Sequence, residues 1–194
     1  MEKLVVATSN AGKLREIREI LGGSFEVVSM AEAGYSDEVE ETGATFYENA
    51  YIKAKTVCDA LHVTTLADDS GLEVNALGGA PGIYSARYSG EPCDNVRNRA
   101  LLLSNMRGET DRSARFVCCM VLCRPNGETV CAEGSTYGYI LEEEDGENGF
   151  GYDSLFFCTD INKSFGRAGD EEKNSVSHRG RALRALTEKL SCGV

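Results

Sequence analysis

From Phe116 to Cys123 the chain reads Phe-Val-Cys-Cys-Met-Val-Leu-Cys, apolar at odd and even positions alike. Successive side chains of a strand point to opposite faces, so with Arg115 at its head this segment is a strand covered on both sides. The pattern upstream supplies helices. Leu4 to Ala7 reads as a first strand, followed by a helix with Leu14, Ile17, Ile20 and Leu21 on one face and Gly22-Gly23 as its stop. Thr45-x-x-Glu48 fits a capping box, after which Phe46, Ala50, Ala54, Val57 and Leu61 recur at helical spacing. Val63 to Ala67 is a further strand, expected to end at Asp68-Asp69-Ser70-Gly71, and Asp94 caps a third helix carrying Val96, Ala100 and Leu103. Pro125-Asn126-Gly127 turns the chain into a second long strand, Glu128 to Ile140, giving a hairpin. A last helix starts near Ser177 and presents Leu183, Leu186 and Leu190. Strand and helix alternate early and a hairpin follows, so the expected fold is α/β with a mixed sheet.

A chain of 194 residues makes one domain, or one domain with two closely joined lobes. Its net charge is -11, from 31 acidic against 20 basic residues, which argues against binding nucleic acid or anionic membrane, since both need a basic footprint. A small phosphorylated ligand stays possible, because a few cations focused at one place can hold a triphosphate. No apolar run approaches the ~20 residues that span a bilayer, and Met1 to Val6 does not read as a signal peptide, so a cytoplasmic protein is expected. The eight cysteines form no C-x-x-C pair and only two histidines accompany them, so they read as buried thiols rather than a zinc site.

Four segments could carry chemistry. Thr8-Ser9-Asn10-Ala11-Gly12-Lys13 lies between a strand and a helix, where backbone N–H groups attract anions and Lys13 adds a charge. Ala7 and Leu14 break the P-loop spacing, and an Asn10-capped helix with an exposed lysine explains the segment equally well. Asp68 and Asp69 place two carboxylates side by side, which a hard cation such as Mg²⁺ would relieve; a polar turn is the plainer alternative. Glu41 could add a carboxylate and Lys53 a phosphate contact, although each alone is an ordinary surface charge. In Gly149-Phe150-Gly151-Tyr152-Asp153, an aromatic ring beside glycines can stack on a base. Asp153, Lys173, His178 and Arg179 could then read the edge of that base, and the alternative is a glycine turn leading into a strand at Leu155-Phe156-Phe157, plus a capped basic helix.

In this order and spacing the segments resemble the inosine triphosphate pyrophosphatase family, over Val5 to about Leu186. The likeness also takes in Glu41-Thr42-Gly43-x-Thr45-Phe46-x-Glu48-Asn49-Ala50, Leu77 to Tyr88, and Ser177-His178-Arg179-Gly180. It implies a two-lobed mixed-sheet α/β fold of the ITPase/Maf-like type with the active site in the cleft between lobes, usually as a homodimer. It implies Mg²⁺-dependent cleavage of ITP, dITP and XTP between the α- and β-phosphates, clearing aberrant nucleotides from the precursor pool. By the resemblance, Thr8 to Lys13 and Lys53 hold the triphosphate, with Ser9, Asn10 and Lys13 foremost. Glu41, Asp68 and Asp69 surround the metal, with Asp69 also the base that activates water, and Ser70 touches substrate. Phe150, Gly151, Tyr152, Asp153, Lys173, His178 and Arg179 form the nucleobase pocket. Ser154 stands where many members carry proline, an exchange expected to loosen that turn, and Glu147-Asn148 replaces a more glycine-rich lead-in.

Two other readings compete. A Maf-like nucleotide pyrophosphatase shares the architecture, but its Ser-Pro-Arg-Arg stretch near the N-terminus is absent. A purine-binding module without turnover would have no use for a water-activating carboxylate beside two lysines.

Overall fold

In the computed structural model, which describes residues 1–192, the chain opens with β1 (Glu2–Val6), α1 (Ala11–Leu21), β2 (Phe25–Ser29) and α2 (Phe46–Leu61). It continues with β3 (Thr65–Val74), α3 (Asn95–Asn105), β4 (Ser113–Cys123) and β5 (Thr129–Ile140). It closes with β6 (Phe156–Cys158), β7 (Lys163–Ser164), α4 (Asp170–Val176) and α5 (His178–Ser191). The strands form one sheet in the order β2-β1-β3-β4-β5-β6-β7. β1 runs parallel to β2 and β3, while β6 runs antiparallel to β5 and β7, so the sheet is mixed as expected.

The chain groups into two compact units. Among the described residues the first holds 1–69, 118–134 and 179–192, and the second holds 70–117 and 135–178, so boundaries fall inside β3, β4 and β5. In the first unit β4 behaves as its sequence demands. Cys118, Met120 and Leu122 join Leu4, Val6 and Leu66 against Ile17 and Leu21 of α1 and Leu183 and Leu186 of α5. Cys119, Val121 and Cys123 join Val5 and Ala67 against Ala50, Ala54 and Val57 of α2. Alternation thus serves two cores from one strand. In the second unit Leu72, Leu102, Phe116, Ile140, Phe156 and Phe165 make a core rich in aromatic contacts, with Phe116 and Phe156 rings 4.7 Å apart.

The structure corrects one boundary that matters for chemistry. β3 does not end at Asp68 but continues through Asp68-Asp69-Ser70-Gly71 to Val74. The two carboxylates therefore lie inside a strand. Charged residues can occupy such a position because cations from other elements reach them, as described next.

Candidate active site

Asn10 caps α1, its side chain accepting a hydrogen bond from the Lys13 N–H at 3.1 Å, while Thr8 Oγ1 accepts from the Asn10 N–H at 3.2 Å. Ser9, Asn10 and Ala11 are exposed, Gly12 is half-buried, and Lys13 is turned inward. Its Nζ lies 3.1 Å from Asp68 Oδ2, and Arg179 donates to the same oxygen at 3.1 Å. Arg179 also pairs with Glu16, one turn after Lys13 on α1. Cys118 Sγ lies 3.9 Å from Asp68 Oδ2. Burial would raise the Asp68 pKa, but Lys13, Arg179 and Lys53 outweigh it and hold the carboxyl well below the usual carboxylate range.

Asp69 faces the α2 side. Asn49 donates to its Oδ2 at 3.1 Å, and Lys53 Nζ sits 3.9 Å from its Oδ1 and 2.6 Å from Glu41 Oε1. Burial raises the Asp69 pKa, Lys53 and Lys13 offset only part of that, and Glu41 adds repulsion, so the net shift is upward. The capping box of α2 positions these groups. Thr45 Oγ1 accepts from the Glu48 N–H and Glu48 Oε2 from the Thr45 N–H, each at 3.1 Å. The Gly43 N–H donates to Asn49 Oδ1 at 2.8 Å, and a Cβ on Gly43 would stand 2.6 Å from Glu48 Cβ. Only glycine fits there.

Asp68 and Asp69 thus have different neighbours because a strand turns consecutive residues to opposite faces. Asp68 shares its face with α1 and α5, and Asp69 shares its face with α2. No group of three or more His, Cys, Asp or Glu side chains that could hold a metal forms among the described residues. Of the carboxylates at Glu41, Asp68 and Asp69, the first and last flank one cationic position, which Lys53 fills. Those two offer oxygen donors alone, the ligand chemistry of Mg²⁺.

In the second unit, Ser70 follows on β3 and is half-buried. The Phe150 N–H donates to Asp153 Oδ2 at 2.7 Å, and Lys173 Nζ donates to the same oxygen at 2.7 Å. Lys173 Nζ also lies 4.8 Å from the centre of the Phe150 ring. Asp153 and Lys173 are buried, so they brace the Phe150 loop from within instead of presenting free polar ends. Gly149 has φ 76°, and a Cβ there would stand 2.1 Å from Asp153 Oδ2, which requires glycine. Tyr152 donates its hydroxyl to the Ser85 carbonyl at 2.8 Å, and the His178 ring stacks on Phe116 at 4.7 Å.

The Arg179 guanidinium is buried and ion-paired to Glu16 and Asp68. The reason is electrostatic, since buried carboxylates demand a charged fork partner. Glu16 was missed, although its position three residues after Lys13 on a helix was a usable signal. The Ser154 hydroxyl donates to Glu144 at 2.8 Å, which ties this turn to that carboxylate. Among the described residues no helix is long and apolar enough to cross a membrane.

An α/β sheet thus carries two adjacent carboxylates beside two half-buried lysines. The chain belongs to the Ham1 family, whose model matches residues 4–189. It is 46% identical over 193 residues to a Bacillus licheniformis dITP/XTP pyrophosphatase, covering 98% of both chains. It is 48% identical over 192 residues to a dITP/XTP pyrophosphatase of Desulforamulus reducens, covering 97% of this chain and 96% of the relative. The Ham1 protein structure from Staphylococcus aureus superposes with a TM-score of 0.89 at 40% identity, over the full length of both chains.

Proposed function

We propose that this protein hydrolyses the aberrant purine nucleoside triphosphates ITP, dITP and XTP to the monophosphate and pyrophosphate. The observation that carries the reading is the geometry at Asp69, a carboxylate that accepts from Asn49 at 3.1 Å and faces Lys53, which in turn pairs with Glu41. Its chain is 46–48% identical to relatives named dITP/XTP pyrophosphatases. Phosphoanhydride hydrolysis needs charge neutralisation and an oriented water, with little covalent participation by protein. Lys13 and Lys53 supply the cations, and a triphosphate competes with Asp68, Asp69 and Glu41 for them. Asp69 takes a proton from water as the general base. The water oxygen then bonds to the α-phosphorus as the bond to the α,β-bridging oxygen breaks, and pyrophosphate leaves with that electron pair. Glu41 and Asp69 would hold Mg²⁺, which when bound neutralises charge on the phosphate oxygens. Phe150, braced by Asp153 and Lys173, offers its ring to the purine.

Incubation with ITP and Mg²⁺ is the test. IMP and pyrophosphate are expected in equal amounts, with loss of activity in EDTA and recovery on adding Mg²⁺. Release of IDP and orthophosphate would overturn the bond assignment, and full activity in excess chelator would remove the metal. The same reading makes the protein a cytoplasmic homodimer, supported by the family resemblance, and light scattering would test the dimer.

A further inference from the structure

The Phe150 loop has a second brace that the proposed mechanism does not use. Arg99 lies on α3, which Asp94 caps by accepting from the Arg97 N–H at 3.0 Å. Its NH1 donates to the Gly151 carbonyl at 3.0 Å, and its Nε pairs with Glu144 Oε1 at 2.9 Å. The other Glu144 oxygen accepts from Ser154 Oγ at 2.8 Å. One guanidinium therefore grips the loop directly at Gly151 and indirectly at Ser154. The preceding residue, Asn98, donates to the Ala86 carbonyl at 2.8 Å, next to the Ser85 carbonyl that accepts from Tyr152. Gly149 and Gly151 take φ 76° and 63°, so the loop turns tightly on either side of Phe150.

We infer that Arg99 is a positioning residue that fixes the Phe150 platform and thereby sets the fit of the purine base. The inference rests on the reading of this loop as the base site. Arg99 contacts Gly151 and Glu144, so its effect belongs to base binding and not to the bond-breaking step.

Wild type, Arg99→Ala, Arg99→Lys and Ser154→Ala are compared in steady state with ITP and GTP, alongside inhibition by inorganic tripolyphosphate. Release of IMP and pyrophosphate by wild type tests the function separately. Calorimetric binding of IMP gives the same comparison among variants without turnover. Arg99→Ala is expected to raise KM for ITP about 10-fold, the scale of one lost charge-assisted hydrogen bond, with kcat within about 2-fold. The preference for ITP over GTP should narrow, and tripolyphosphate should inhibit as before. Lysine should recover part of the KM, since it keeps the charge facing Glu144 without the fork. Ser154→Ala should move KM the same way by a smaller factor, and it carries the test if Arg99→Ala does not fold. Equal loss of kcat for both substrates with weakened tripolyphosphate inhibition would make Arg99 merely structural and overturn the inference. Unchanged KM in every variant would overturn it too.

Discussion

Asp68 and Asp69 are the same side chain one position apart, and the protein gives them opposite chemistry. Asp68 is held below the usual carboxylate range by Lys13, Arg179 and Lys53 acting against burial. A depressed folded pKa contributes stability that is present above the unfolded value and lost as pH falls through the folded one. Asp69 is raised by burial, with repulsion from Glu41 added. Its contribution has the other sign: it is fully present below the unfolded value and gone once pH rises through the folded one. At pH 7.5 Asp68→Asn should therefore lower Tm, because Lys13 and Arg179 lose their buried counter-charge. Asp69→Asn should leave Tm unchanged or raise it, while kcat falls at least ~100-fold, the scale of a lost general base. A large drop in Tm for Asp69→Asn, or a near-normal kcat, would contradict the assignment. The adjacency of the two residues was legible in the sequence. Their division was not, because the partners that create it are remote: Arg179 lies 111 positions from Asp68.

At the scale of an element, α2 shows how local chemistry places remote chemistry. Thr45 and Glu48 close the capping box, and the helix then delivers Asn49 and Lys53 to Asp69. Thr45→Ala removes one cap and should cost ~1 kcal/mol of stability in urea unfolding, with turnover close to wild type. Gly43→Ala is different, since its Cβ would press within 2.9 Å of the Asn49 backbone nitrogen and shift the Asn49 contact to Asp69. It should lower kcat by more than its effect on stability accounts for. If the two variants lose activity alike, the loop before α2 does not set the site. This helix was readable because a capping box and a 3.6-residue apolar stripe are both local signals. α4 was not, because of its seven residues only Lys173 is buried and no apolar stripe exists. β2 is half-buried along most of its five residues, so it lacks alternation, and β7 has two residues. Arg99 carried no motif, its contact to Gly151 spanning 52 positions.

For the molecule as a whole, the open question is whether its two units unfold as one. The unit boundaries fall inside β3, β4 and β5, so three continuous strands belong partly to each. Melting one end of a strand strips hydrogen bonds from the ladder that fixes its other end, which favours a single cooperative transition. The cysteines can report it. Cys93, Cys131 and Cys192 are exposed, whereas Cys58, Cys118, Cys119, Cys123 and Cys158 are buried. Cys158 belongs to the second unit and the other four buried thiols to the first. Burial pushes the Cys118 thiol up and the Cys119 thiol from 9.0 to about 12, so neither is a reactive thiolate at pH 8. In rising urea at pH 8, the three exposed thiols should label at once, and the five buried ones together at one midpoint that matches circular dichroism. Earlier labelling of Cys158 would mean that the units open separately and that the single-domain expectation fails. The pH dependence sharpens the test. A folded pKa above the unfolded one gives stability that is fully present below the unfolded value, near 9.0, and lost as pH climbs toward about 12. The shared midpoint should therefore move to lower urea above pH 9, for Cys158 as much as for the thiols of β4. Replacing Cys118 and Cys119 by alanine should flatten that decline at both reporters if the transition is common to both units. A decline that flattens only for the first-unit thiols would separate the two transitions, whatever the labelling at pH 8 had shown.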